Sequence, residues 1–433
     1  MPTCSGPGSR RVLFLSGLQI YPTLSGGNLR SFALANALKR HGLEVFVYSL
    51  VGRKRDYLAR RPSSIQAWPG GIQEYVDRRV LWFLAQYGSY ALALPPVWLT
   101  AFLKAAAASP REVLLPALLR EKLAWCDVIV ADFPFVHPIL STPSAQGRLR
   151  VLSTHNVEHQ LLNDQGVWWH RPLRAAVREL EIRAAETCDI LVSCCADDAR
   201  FFEANAQVRH TVVVPNGIDP RRFYGIEVLR AAARRELGIP DEVKVVLFTA
   251  SKWGPNREAF ERLLEFAKSH AELLSEQGIH IVVVGGVVTD PLRLPGFTAT
   301  GRVDRVEPYF AAADAAINPM LSGAGTNVKM CEFIALRLPI LSTPFGARGF
   351  RFDDGETGFI FEMDRLAPVL SRVRRLFDED PGRLRQIAAN AYVQNESLID
   401  MNACVHRLVE AMGDARDRSR NFGQAPLPGT RCR

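Results

Sequence analysis

Along most of the chain a short β-branched run gives way to a helical spacing of apolar positions and then to another such run. That alternation is the mark of parallel strands joined by crossover helices. The first unit is the clearest: 11–15 reads as a buried strand and 19–27 as a loop closed by a glycine pair. Leu29, Phe32, Ala33, Ala37 and Leu38 then share one face of a helix, Gly42 stops it, and 44–48 returns as a second strand. Further strands are expected at 127–131, 151–154, 190–193 and 212–215, with an Arg- and Glu-rich helix over 172–187.

A polar connector, 221–240, leads to a second α/β set. Its strands are expected at 244–249, 280–284, 315–317 and 339–342, and its helices around 257–270, 306–312 and 327–336. The expected fold class is α/β, with two facing Rossmann-like domains spanning 10–220 and 241–380. A helical segment over 381–420 is expected to pack back across the pair, and 1–9 and 421–433 read as loose tails. Such sheets bind ligands beyond the carboxyl ends of their strands, which directs attention to the loops there.

One apolar insertion, about 76–125, interrupts the first half. Within it 80–103 holds no charged residue and is long enough to span a bilayer. Pro95 and Pro96 break it, and Gln86, Tyr87, Ser89 and Tyr90 dilute it, so a buried or surface-docking helical hairpin is the expectation. Peripheral membrane contact through this insertion follows as a hypothesis.

Composition narrows the classes. With 433 residues, 48% hydrophobic and 23% charged, the chain suits a multidomain globular enzyme. The net charge of +8 points to an anionic partner, but the arginines are dispersed and no basic tract is interleaved with aromatics. Phosphorylated small molecules and acidic lipids therefore fit better than nucleic acid. The eight cysteines include no C-x-x-C pair and no secretory leader is visible, so a reduced, cytoplasmic protein is expected. His155 and His159 have the spacing of a helical zinc pair, but no third ligand follows at a recognisable interval, and no metal site is expected.

The densest chemistry lies in 321–332, after a strand. Gly323 and Gly325 allow close backbone approach, and Thr326 or Asn327 can cap the next helix, whose free N–H groups suit a diphosphate. Lys329 and Glu332 are three apart and share a face, which sets a cation near such an anion and a carboxylate one turn further on, where it could take two ribose hydroxyls. The plain alternative is a glycine turn before an ordinary helix with an exposed Lys–Glu pair.

The stretch GAGTNVKMCEFIALRLPILSTPFGARG, 323–349, resembles the donor-site segment of glycosyltransferase family 4 and its GT-B relatives, the glycosyl transferases of group 1. Other segments agree in order. YPTLSGG (21–27) resembles the family's first glycine loop, THN (154–156) its acceptor-side histidine motif and VVPNGID (213–219) its interdomain marker. GRV (301–303), with YFAAAD (309–314) after it, resembles the base-binding loop and following helix, so the likeness runs from about 11 to 361.

The resemblance implies a retaining, metal-independent hexosyltransferase-like enzyme that uses a nucleotide-diphosphate sugar and a carbohydrate or lipid-linked acceptor, with no cofactor. Polysaccharide assembly at the inner face of the membrane would suit it. It further implies Glu332 on the ribose, Lys329 on the diphosphate, Arg302 and Val303 at the base, Gly26 and Gly27 in the first loop, and His155 near the reacting sugar. Two departures stand out: Ala324 replaces the first Glu of an E-x7-E pair, and 250–256 lacks the usual Arg…Lys pair, leaving Lys252 and Arg257 as the available cations. Asp132, and Trp168, Trp169 and His170, are candidates for acceptor contact; an apolar staple is the other reading of the last three. A GT-B sugar-nucleotide epimerase and a degenerate GT-B scaffold are the rival functions.

Overall fold

The computed structural model describes residues 10–23, 25–91, 96–109, 112–162, 170–323 and 326–422. It divides into two compact units, one comprising the chain up to Pro215 together with the segment from Met401, the other Asn216–Asp400.

The first unit is built on β1 (Arg11–Ser16), β2 (Glu44–Ser49), β3 (Ser64–Ala67), β4 (Gln73–Val76), β5 (Val128–Asp132), β6 (Leu149–Ser153), β7 (Ile190–Ser193) and β8 (Thr211–Val213). Their order across the sheet is β3-β4-β2-β1-β5-β6-β7-β8, parallel throughout except for the antiparallel β3–β4 pair. The helices are α1 (Gly26–Arg40), α2 (Lys54–Leu58), α3 (Val80–Ala91), α4 (Val97–Ala107), α5 (Ala117–Trp125), α6 (His170–Thr187) and α7 (Ala196–Asn205).

The central strands read as unbroken apolar runs because both faces are covered. On β1, Val12 and Phe14 join the core under α1, while Leu13 and Leu15 join the opposite core, which holds Leu99, Leu103, Leu119 and Ala184. The insertion forms the expected helical hairpin. Trp82, Ala85, Leu99 and Leu103 are its buried side, and a Cβ on Gly88 would sit 2.7 Å from the Trp98 ring, so the glycine lets α4 lie against α3. Val80, Leu81, Leu84, Trp98 and Phe102 stay exposed on the outer side. Among the described residues no helix is long and apolar enough to cross a membrane.

The second unit carries β9 (Lys244–Thr249), β10 (Ile279–Val284), β11 (Leu292–Leu294), β12 (Phe297–Ala299), β13 (Ala315–Asn318), β14 (Ile340–Ser342) and β15 (Phe359–Ile360). Their order is β11-β12-β10-β9-β13-β14-β15, again parallel apart from one antiparallel edge pair, β11–β12. Its helices are α8 (Arg230–Leu237), α9 (Gly254–Ser269), α10 (Ala271–Glu276), α11 (Glu307–Ala312), α12 (Val328–Ala335), α13 (Leu366–Glu379) and α14 (Pro381–Ile399). Phe248, Leu263, Ile281, Phe297, Ile317 and Phe359 are at the centre of its core.

The terminal helical stretch is two helices rather than one. Asp400 takes an extended conformation (φ −86°, ψ 108°) and ends α14, and α15 (Met401–Phe422) belongs to the first unit. Met401, Cys404, Val405, Leu408, Ala411 and Met412 recur at helical spacing and fill the core under α1.

Candidate active site

In the second unit the loops after β9 and β13 lead into α9 and α12. Asn327 is the N-cap of α12, but its side chain makes no capping bond; its amide instead donates to the Gly346 carbonyl at 3.3 Å. Thr326 does not cap either, since its carbonyl and hydroxyl oxygens accept from Asn216 Nδ2 at 3.0 and 2.9 Å. The expected capping role of these residues is thereby corrected. The first-turn N–H groups of α12 have no side-chain cap, and 326–329 remain half-buried rather than packed over. That is the condition an anion needs at a helix start.

Gly323 precedes this start with φ +134°, and a Cβ there would lie 2.9 Å from the Trp253 ring, so both its backbone and its neighbour demand glycine. Gly325 and Ala324 lie outside the described residues.

Lys329 and Glu332 share a face as expected, but each already has partners. Lys329 Nζ donates to Asn256 Oδ1 at 2.8 Å and sits 4.4 Å from the centre of the Phe248 ring. Burial pulls its ammonium down to about 7, against the opposing pull of Glu332. Glu332 Oε1 accepts from Arg222 Nη1 at 3.2 Å, and the other arm of Arg222 reaches Glu307 at 3.3 Å. Burial pushes the Glu332 carboxyl up to about 7, while Arg222 and then Lys329 hold it down. A cation and a carboxylate, both poised near neutrality, thus lie one helical turn apart.

Lys252, Trp253, Gly254, Arg257 and Val287 line a small cavity of about 110 Å³ at the start of α9, with Lys252 and Arg257 exposed. Arg302 is exposed and Val303 half-buried, on the loop after β12. That loop begins at Gly301, whose carbonyl accepts from the Gly285 N–H at 3.1 Å.

In the first unit the carboxyl ends of β5 and β6 and the start of α1 converge. His155 Nε2 lies 2.8 Å from Asp132 Oδ1, and Ser31 Oγ donates to Asp132 Oδ2 at 2.6 Å. The Phe133 ring stacks on the imidazole at 3.8 Å, with Phe133 held at φ +82°. Gly26 and Gly27 open α1, and the position a Cβ would take on Gly27 is 3.5 Å from His155 Nδ1.

His159 bonds a different carboxylate, Glu181, at 2.8 Å, so His155 and His159 do not form a pair. Among the described residues one set of metal-ligating side chains comes together, Cys194, Cys195 and Asp198, and the Cys194 thiol already donates to Asp198 and to the His155 carbonyl. Trp168 and Trp169 lie outside the described residues. Sequence reasoning missed Arg222 and Asn256 as partners of Glu332 and Lys329, and did not place Asp132 beside His155. Their partners lie 110, 73 and 23 residues away, beyond any local pattern.

Two α/β units with mostly parallel sheets and loop-borne polar groups at the strand ends define a protein of the GT-B class. Residues 24–222 match the family model described as Glycosyltransferase Family 4, and residues 243–379 match that of Glycosyl transferases group 1. Together these span more than half of the sequence, and the chain belongs to the group 1 glycosyltransferases with a family 4 amino-terminal half.

Among curated relatives, the D-inositol 3-phosphate glycosyltransferase of Geodermatophilus obscurus is 24% identical over 58% of this chain. That of Corynebacterium aurimucosum is 24% identical over 61%. The matched stretch spans only 58% and 63% of those two proteins. Among solved structures, Anabaena HepE in complex with UDP-glucose superposes with a TM-score of 0.63 at 15% identity, covering 93% of this chain and 99% of that one. Sucrose-phosphate synthase from Thermosynechococcus elongatus gives 0.64 at 16%, covering 94% and 100%.

Proposed function

We propose that the protein transfers a sugar from a nucleoside-diphosphate sugar to a carbohydrate or lipid-linked acceptor, with retention and without a divalent metal. One observation carries the reading: the uncapped, half-buried start of α12, with Lys329 and Glu332 one turn apart on the same face. HepE bound to UDP-glucose supports a donor of this class.

Breaking the glycosyl–phosphate bond leaves negative charge on the departing diphosphate. N–H groups fixed at the α12 start, with Lys329, Lys252 and Arg257, would stabilise that charge without reorganising at the moment of reaction. Lys329 is held near 7 by burial, so an arriving diphosphate supplies the anion that restores its full charge. Glu332 would accept the two ribose hydroxyls, and backbone at Arg302 and Val303 would receive the base. In the first unit, Gly26 and Gly27, which open α1, would let the chain there touch donor phosphate or acceptor, and His155 is assigned to the reacting sugar. Retention rests on the family resemblance and implies attack on the face from which the phosphate leaves.

The exposed apolar side chains of α3 and α4, beside the half-exposed Arg79 and exposed Lys104, support peripheral contact with an acidic membrane surface. A lipid-linked acceptor at the cytoplasmic face would suit that placement.

The test is a panel of sugar nucleotides, with release of nucleoside diphosphate measured in the presence of a chelator and of lipid or oligosaccharide acceptors. Consumption of one donor, dependent on acceptor and indifferent to chelator, is the expected result. Turnover of none, or only with added divalent metal, would refute the reading.

A further inference from the structure

The turn from β7 into α7 gathers three side chains that the chemistry above does not use. Cys194 leaves β7, Cys195 stands at the N-cap of α7 in an extended conformation (φ −151°, ψ 166°), and Asp198 lies in the first turn of α7. One ligand atom from each, the two Sγ atoms and a carboxylate oxygen, lie within 4.8 Å of one another. The C-C-x-x-D order is unlike a C-x-x-C pair, so the strand-to-helix turn, not the spacing along the chain, creates the cluster.

Two thiols and a carboxylate suit a thiophilic cation and discriminate against magnesium and calcium, which take sets of oxygens. With Zn–S bonds of about 2.3 Å and Zn–O bonds of about 2.1 Å, a tetrahedral ion sets S···S and S···O separations of about 3.6–3.8 Å. The Cys194 Sγ already lies 3.3 Å from Asp198 Oδ2, so closing the set on an ion asks for side-chain shifts of about 1 Å or less. Cys194 is 1% exposed and Asp198 9%, whereas Cys195 is half-buried. An ion therefore enters from the Cys195 side, where a water completes its coordination.

Occupancy would be felt on the neighbouring strand. The Cys194 thiol shares its proton between the His155 carbonyl, at 3.1 Å, and Asp198, at 3.3 Å. A metal-bound Cys194 is a thiolate with no proton to donate, so its bond to the His155 carbonyl must break.

We propose that Cys194, Cys195 and Asp198 bind one thiophilic divalent cation of the zinc class, and that occupancy slows transfer by releasing the His155 carbonyl. Each thiol gives its proton to solvent as the ion enters, and no electron changes hands. The inhibitory half rests on the assignment of His155 to the reacting sugar made above; the site itself does not.

The experiment titrates the full chain with cobalt(II) and then zinc(II), under a phosphine reductant that keeps the thiols reduced. The wild type should give a thiolate-to-cobalt charge-transfer band complete at one equivalent, abolished by zinc and untouched by excess magnesium. Cys195→Ser should lose most of that band, and Asp198→Asn should keep it but bind the ion more weakly, with thermal melts showing both variants folded. With ¹³C at the histidine carbonyls and His155 assigned by its loss in His155→Gln, zinc should shift the His155 signal in the wild type but not in Cys195→Ser. One equivalent of zinc should slow wild-type transfer by roughly threefold to tenfold, the scale of one lost hydrogen bond. Cys195→Ser, measured against its own rate without zinc, should be insensitive.

Lack of a thiolate band, or a band that Cys195→Ser retains in full, overturns the site. Zinc that binds yet leaves either the His155 signal or transfer unchanged overturns the inhibitory half. Because the metal and carbonyl spectra need no turnover, failure to find a sugar donor would sink the proposed function while leaving this site separately decided.

Discussion

Lys329 is the residue on which charge, burial and function conflict most directly. Its ammonium is enclosed against Phe248 and Asn256 and pulled down to about 7. A lysine whose folded pKa is lowered binds its proton less tightly than the unfolded chain does. The resulting cost to stability is complete below about pH 7 and fades as pH rises toward the ordinary lysine range. Lys329→Met should therefore raise Tm at or below neutral pH, with the gain shrinking in alkaline solution, while donor affinity falls. Thermal melts across pH, with and without nucleoside diphosphate, check both arms.

Glu332 has the opposite sense: burial raises it to about 7, and Arg222 opposes that rise. Removing the guanidinium in Arg222→Met should push the carboxyl higher still, so the acid limb of the donor-binding profile moves to more alkaline pH. An unmoved limb would mean that Glu332 is not the group titrating. At this scale the sequence disclosed that Lys329 and Glu332 share one face of α12, because a spacing of three on a helix is local. Arg222, Asn256 and Asp132 became partners only through tertiary folding.

At the scale of the elements, the long central strands were readable because they are buried on both faces and appear as continuous apolar runs. The missed strands, β3, β4, β11, β12 and β15, are two to four residues long and lie at or beside sheet edges; those of β3 are mostly exposed. The break at Asp400 also escaped notice, since apolar positions continue at helical spacing on both sides of it.

The unfilled cap of α12 supports an element-scale prediction. Asparagine there spends its amide on the Gly346 carbonyl, whereas Asn327→Asp would offer a carboxylate to the first-turn N–H groups. That change should stabilise the helix by about 1 kcal/mol and weaken diphosphate binding by roughly tenfold or more. Urea melts and nucleotide titrations should move in opposite directions. If both improve, the helix start is not where the phosphates lie.

At the scale of the whole molecule, the insertion gives this chain an apolar outer surface on α3 and α4 that the core does not explain. Leu81 and Leu84 are 50% and 57% exposed on one helix, and Leu81→Glu with Leu84→Glu should leave the fold intact. The double variant should no longer sediment with vesicles containing acidic phospholipid, whereas the wild type should. Equal sedimentation of the two would remove the membrane from the account. The hairpin itself was legible from two prolines within an uncharged run; what it touches was not, because exposure is a property of the folded chain.

The central claim is that a nucleoside diphosphate rests at the start of α12 with its ribose on Glu332. Titration calorimetry of UDP, GDP and ADP into the full chain and into Glu332→Ala tests it most directly. One nucleotide should bind the wild type, and the variant should lose about 1.5–3 kcal/mol, a drop of roughly tenfold to a hundredfold in affinity. Binding of no nucleotide, or binding that Glu332→Ala leaves unchanged, would contradict the account.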